Sequence, residues 1–158
     1  AHLPGAAGVG IDRSEAALTM ARANAEQLGL AARADFRPAD WDAPGWSAEL
    51  GRFDLILANP PYVEDHAALD PSVRAHEPAG ALFAGPEGLD AYHALIPQLP
   101  ALLSPEGTAL VEIGASQADA VSAIANHAGF SVRVHPDLAG RDRVLELKFL
   151  LGKAGASA

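Results

Sequence analysis

Two periods of apolar residues run through this chain. Short apolar runs bounded by glycine, proline or an acid predict strands at Ala7–Ile11, Phe53–Ala58, Thr108–Ile113, Phe130–His135 and Val144–Phe149. The more polar Arg33–Arg37 is a further candidate strand. Between them the spacing turns helical. Ala17, Met20, Ala21, Asn24 and Leu28 recur at helical intervals over Ala16–Leu28, and helices are also predicted over Leu89–Leu103 and Gln117–Ala128. Ser14 suits an N-cap, Glu15 suits the first turn that follows, and Gly29 and Gly129 are stop signals. Pro97 kinks the second helix, and Pro105-Glu106-Gly107 ends it. The resulting order of elements predicts an α/β fold, with a mostly parallel sheet and a C-terminal antiparallel hairpin joined through Pro136–Asp142.

Composition adds bounds to this pattern. The chain has 158 residues and 49% apolar content, enough for one globular domain over residues 1–150, with a small-residue tail over 151–158 expected to be disordered. Net charge is −9, from 11 Lys and Arg against 20 Asp and Glu, which argues against a broad nucleic-acid footprint. The chain contains no cysteine, which excludes disulfides and thiolate metal sites. No apolar run reaches the length of a membrane span, and the first residues carry no signal pattern, so a cytoplasmic protein with no membrane partner is expected.

The chemistry centres on Asn59-Pro60-Pro61-Tyr62, directly after the run Phe53–Ala58, which reads as a buried, central strand. A tetrapeptide there sits at a strand's carboxyl end, where open α/β sheets place ligands. The prolines remove two N–H donors and fix two φ angles, leaving a rigid corner rich in carbonyl acceptors. Asn59 adds an amide, and Tyr62 adds a flat ring that can lie on a planar group. Such a site suits a substrate presenting a planar NH2 group, either an amide or the amine of a base. The plainer reading is a turn, since Asn-Pro and Pro-Pro are common punctuation. Asp12, between a strand and a helix, stands where nucleotide-binding folds bond a ribose, or it merely starts the helix. Asp40 can accept from an adenine amine while Trp41 packs on the purine; the alternative is a loop with one core tryptophan. Val63–Gly88 reads as a long, mobile lid. Its Glu64, Asp65, His66, Asp70, His76 and Glu77 match no common metal signature, and no metal is expected.

Several stretches together resemble one family. They are Gly10-Ile11-Asp12, Asp40-Trp41, Asn59-Pro60-Pro61-Tyr62, the run Glu77–Tyr92, Glu112-Ile113-Gly114, and Asp137–Val144. In order and content they resemble the release-factor glutamine N5-methyltransferases, the HemK/PrmC family of class I S-adenosylmethionine-dependent enzymes. Asn-Pro-Pro-Tyr is shared with adenine-N6 DNA methylases, whereas the Glu77–Tyr92 run is specific to the first family. The resemblance implies S-adenosylmethionine as cofactor and the glutamine of the Gly-Gly-Gln motif in peptide chain release factors as substrate, with no direct nucleic-acid partner. It implies that Asp12 holds the cofactor ribose, that Asp40 and Trp41 meet its adenine, and that Asn59 also borders the cofactor. Asn59 and Pro60 would accept from the substrate NH2, with Pro61 and Tyr62 completing the substrate site. The family's first strand and glycine-rich loop have no counterpart here, so a methyltransferase domain truncated before its second strand is expected. An adenine-N6 methylase and a non-catalytic remnant are the alternatives.

Overall fold

A computed structural model of the chain describes residues 3–67 and 79–150. It divides into two compact units, Ala1–Gly51 and Arg52–Ala158. The expected tail over 151–158 and the middle of the expected lid, 68–78, lie outside the described residues.

The first unit is a strand–helix–strand device. β1 (Gly8–Asp12) pairs in parallel with β2 (Ala34–Pro38), and α1 (Glu15–Gln27) crosses between them. Ser14 is the N-cap as its residue type predicts: its hydroxyl accepts from the Ala17 N–H at 3.3 Å. The buried side of α1 differs from the expected stripe. Leu18 and Ala25 are buried, while Met20 and Leu28 are 63% and 69% exposed. The same helical period thus holds with its phase moved, because Leu18, Ala21 and Ala25 also recur at three- and four-residue steps. Arg22 ties helix to sheet by donating to the Phe36 carbonyl at 2.9 Å. Gly10 is needed for a close approach, since a Cβ there would lie 2.7 Å from the Phe36 ring.

Among the described residues the second unit is built on four strands in the order β3–β4–β6–β5. β3 (Phe53–Ala58) runs parallel to β4 (Leu103–Glu112); β6 (Asp142–Phe149) lies antiparallel between β4 and β5 (Phe130–Pro136). The last two strands form the expected antiparallel hairpin. α2 (Ala79–Leu82), α3 (Asp90–Leu95), a 3-10 turn (Ile96–Gln98), α4 (Leu99–Leu102) and α5 (Ala118–His127) complete it. The helix expected over Leu89–Leu103 is therefore broken at Pro97, where the missing N–H converts one turn to 3-10 geometry.

The core follows from period-two alternation. On β4 the residues Gly107, Ala109 and Val111 are buried, while Thr108, Leu110 and Glu112 are half-buried. Leu145 and Leu147 of β6 continue the buried face, and Phe130 stacks on Phe149 with ring centroids 5.4 Å apart. Tyr92, Leu95, Ile96 and Leu99 from the α3–α4 segment, with Val121 and Ala125 from α5, are the buried helical contribution. Tyr92 is fully buried, and its hydroxyl donates to the Glu112 carbonyl at 3.0 Å. Burial first, with Tyr62 and the Glu112 carboxylate nearby, pushes the Tyr92 phenol far above its ordinary value, so it stays a neutral donor.

β3 corrects an expectation. The composition of Phe53–Ala58 predicts a buried, central strand, yet β3 is the outer strand of this sheet, and Leu55 and Leu57 are 48% and 70% exposed. No strand among the described residues pairs with its other edge, and Leu55 and Leu57, two residues apart, share one face of the strand that is left exposed.

On the hairpin, Glu146 accepts from Lys148 at 2.9 Å and bonds His135 at 2.7 Å. These bonds, Lys148 first, pull its carboxyl down to about 2 from 4.5. A depressed carboxyl stabilises the fold above its unfolded value and loses that contribution as pH falls through the folded one. Thermal melts of Glu146→Gln against wild type should therefore differ fully above pH 4.5, and the gap should close as pH drops toward 2.

Candidate active site

Asp12 ends β1, level with Pro38 at the end of β2. The Asp12 carbonyl accepts from the Ala39 N–H at 3.1 Å, which places Asp40 at the same sheet edge. Parallel pairing thus brings two acids, 28 residues apart in the chain, to the carboxyl ends of adjacent strands. One Asp12 oxygen, Oδ1, accepts from the Ser14 N–H at 2.7 Å, so the residue does help start α1. Its Oδ2 has no hydrogen-bond partner among the described residues, and Asp12 is exposed. Asp40 Oδ1 accepts from the Asp42 N–H at 3.1 Å in a tight turn, and Trp41 is half-buried beside it. A free carboxylate oxygen suits a ribose hydroxyl, and a second acid next to an indole suits an aminopurine. Within this unit the donor set fits a nucleoside.

Asn59-Pro60-Pro61-Tyr62 leaves the end of β3 in the second unit. Asn59 is exposed, and its amide has no partner among the described residues. Pro60, next to it, is fully buried and anchors the corner. Pro61 and Tyr62 are half-buried. The chain then zips to the segment after α2. Val63 N–H donates to the Leu82 carbonyl at 2.9 Å, Ala84 N–H to the Val63 carbonyl at 2.9 Å, and Asp65 N–H to the Gly85 carbonyl at 3.0 Å. Both described ends of the expected lid are therefore fastened at the motif itself.

Three residues around Tyr62 went unassigned in the sequence. Gly88 has φ of +67°, and a Cβ there would strike the Tyr62 carbonyl. Gly114, just beyond β4, leaves space for the Tyr62 ring: a Cβ would lie 3.4 Å from Tyr62 Cδ2 and 2.7 Å from Gln117 Oε1. Gln117 is a buried polar residue, 8% exposed. Gly114 was legible as the break after the apolar run Thr108–Ile113 and Gly88 as the end of the long segment Val63–Gly88, whereas nothing in the local pattern marked the glutamine.

The residues expected to act together thus fall into two groups, Asp12, Asp40 and Trp41 in one unit and Asn59 to Tyr62 in the other. Each group lies at the carboxyl end of parallel strands, the end that carries ligand sites in α/β sheets. A family described as a methyltransferase domain matches residues 2–130. The chain belongs to the methyltransferase domain family.

Two relatives are similar over most of this methyltransferase domain. A release factor glutamine methyltransferase of Cereibacter sphaeroides is 46% identical over 151 residues, covering 94% of this chain and 53% of the relative. One of Rhodospirillum rubrum is 44% identical over 148 residues, covering 92% of this chain and 44% of the relative. The chain therefore spans about half the length of these relatives. Among solved structures, a ribosomal protein L11 methylase of Lactobacillus delbrueckii subsp. bulgaricus superposes with a TM-score of 0.59 at 21% identity, covering 90% of this chain and 57% of that one. That likeness shows a shared fold, the α/β fold of class I methyltransferases.

Gly114→Ala tests the packing around Tyr62. Its methyl would press on the Gln117 amide and close on the Tyr62 ring, so a loss of about 1–3 kcal/mol is expected from overpacking, read by denaturant melts. Unchanged stability would contradict the close approach.

Proposed function

We propose that the chain is a catalytic part of a protein-glutamine methyltransferase. It would transfer a methyl group from S-adenosylmethionine to the side-chain amide nitrogen of the glutamine in the Gly-Gly-Gln motif of peptide chain release factors, acting in the cytoplasm. The observation that carries this reading is the exposed Asn59 amide, without a partner among the described residues, at the end of β3 beside the anchored Pro60. The 46% identity to a release factor glutamine methyltransferase supports the substrate class. Membership of the methyltransferase domain family supports the cofactor. Among the described residues no helix is long and apolar enough to cross a membrane.

An amide nitrogen is a weak nucleophile because its lone pair is delocalised into the carbonyl. The Asn59 side-chain oxygen and the Pro60 carbonyl oxygen would each accept one N–H of the substrate NH2, which turns the nitrogen toward the methyl donor. Both acceptors then face the positive charge that builds on nitrogen during transfer. Tyr62 would lie against the amide plane and Pro61 would stiffen the corner. When bound, S-adenosylmethionine supplies a sulfonium methyl, whose S–C bond breaks as the new N–C bond forms and leaves its electron pair on sulfur. An N–H proton is then released from nitrogen. Asp12 would bond the ribose, with Asp40 and Trp41 on the adenine.

Asn59→Ala in the natural protein that carries this chain should lower methylation of a release factor by about 100-fold or more while the melting curve stays unchanged. Undiminished turnover would remove Asn59 from the role. Asp12→Ala should weaken S-adenosylmethionine binding by about 10- to 100-fold in calorimetry, the value of one or two charge-assisted hydrogen bonds, and leave release-factor affinity alone. Equal cofactor affinity would refute the ribose contact. Methylation of adenine in DNA, with none on the release factor, would move the assignment to the nucleic-acid methylases.

A further inference from the structure

Gln117 stands at the N-cap of α5 but does not cap it. Its side chain turns away from the helix instead. Nε2 donates to the Tyr62 carbonyl at 3.1 Å, to the Gly88 carbonyl at 3.1 Å and to the Glu87 carbonyl at 3.4 Å. Oε1 accepts from the Gly114 N–H at 3.0 Å. No backbone N–H among the described residues reaches any of those three carbonyls. Pro60 and Pro61, which precede Tyr62, bring no backbone N–H to the corner.

The consequence is electrostatic. Three carbonyl oxygens aimed at one buried point repel one another and need a donor there. A carboxamide suits this place because it donates two hydrogens on one side and accepts on the other. Both ends of Gln117 bear on Tyr62: Nε2 holds its carbonyl, and Oε1 holds Gly114, the residue that leaves room for its ring. One amide therefore fixes the motif corner, the Glu87-Gly88 turn and the end of β4 in a single arrangement.

We propose that Gln117 is the positioning residue of this methyltransferase, the buried clamp that sets where Asn59-Pro60-Pro61-Tyr62 presents its acceptors to the substrate amide. The proposal rests on the assignment of that motif as the substrate site. Gln117 touches neither substrate nor cofactor; it acts through Tyr62. Loss of the clamp would shift the acceptors without removing them, and small misplacements of this kind cost rate.

The test uses Gln117→Leu and Gln117→Glu in the natural protein that carries this chain, with a peptide chain release factor and S-adenosylmethionine. Gln117→Leu should lower kcat by about tenfold or more, with KM for S-adenosylmethionine within about twofold of wild type. It should also speed amide hydrogen exchange at Gly114 and Val63 while Val111 and Leu145 stay as slow as in wild type. Gln117→Glu should be as slow as the leucine variant at alkaline pH, where its carboxylate faces three carbonyls. It should recover relative to wild type in mild acid, where a protonated carboxyl returns one O–H donor. If Gln117→Leu does not fold, this recovery decides the question, and its absence overturns the proposal. Wild-type kcat in both variants also overturns it, as does exchange that rises equally at Val111 and Leu145, the mark of a general loss of stability. If wild-type protein leaves the release factor unmodified, the substrate assignment fails by itself. Exchange then decides on the clamp: acceleration confined to Gly114 and Val63 upholds it, and none overturns it.

Discussion

Three backbone carbonyls, of Tyr62, Glu87 and Gly88, converge on the amide of Gln117, and the shape of the motif corner depends on that one side chain. The prolines explain why. They make the corner stiff and rich in acceptors, but they also strip it of the N–H groups that would satisfy a neighbouring carbonyl. A donor must come from elsewhere, and it comes from the start of α5, 55 residues away. Buried polar groups are costly unless bonded, so a clamp of this kind has one low-energy arrangement and few alternatives.

That constraint works together with the edge position of β3. The strand delivers Asn59 at its carboxyl end, and the corner then turns the chain toward Val63, which pairs with the segment after α2. Pro60 is buried and Asn59 is exposed, so the polar group is held by its apolar neighbour and not by a bond to its own amide. An amide that spends no hydrogen bonds on its surroundings is available to a ligand. Asp12 follows the same logic in the other unit, with one oxygen spent on the helix start and the second left over.

Much of this was legible in the sequence, because strands, caps and stops are local. Ser14, Gly29 and Gly129 marked helix ends that the structure keeps, and the closing hairpin followed from two short apolar runs around a turn. Asp12 and Asn59 stood out since acids and amides after apolar runs are placed by the strand itself. What escaped was set by distant partners. The composition of Phe53–Ala58 reads as buried and central, yet burial depends on what packs on a strand's faces and position on which strands pair with it; Leu55 and Leu57 are exposed, and β3 lies at an edge. The period of α1 was right while its phase was not, because Ala, Met and Leu all satisfy an apolar pattern. Gln117 was invisible, since a glutamine at a helix start looks like any surface residue until three carbonyls 29 to 55 residues away meet it.

The central claim is that the Asn59 corner presents a planar amide for methylation. The most direct measurement is peptide mapping by mass spectrometry of a peptide chain release factor incubated with the natural protein and S-adenosylmethionine. The account predicts one added methyl group, on the side chain of the glutamine in the Gly-Gly-Gln segment. A release factor recovered without a methyl group, or with one on any residue other than that glutamine, would contradict it.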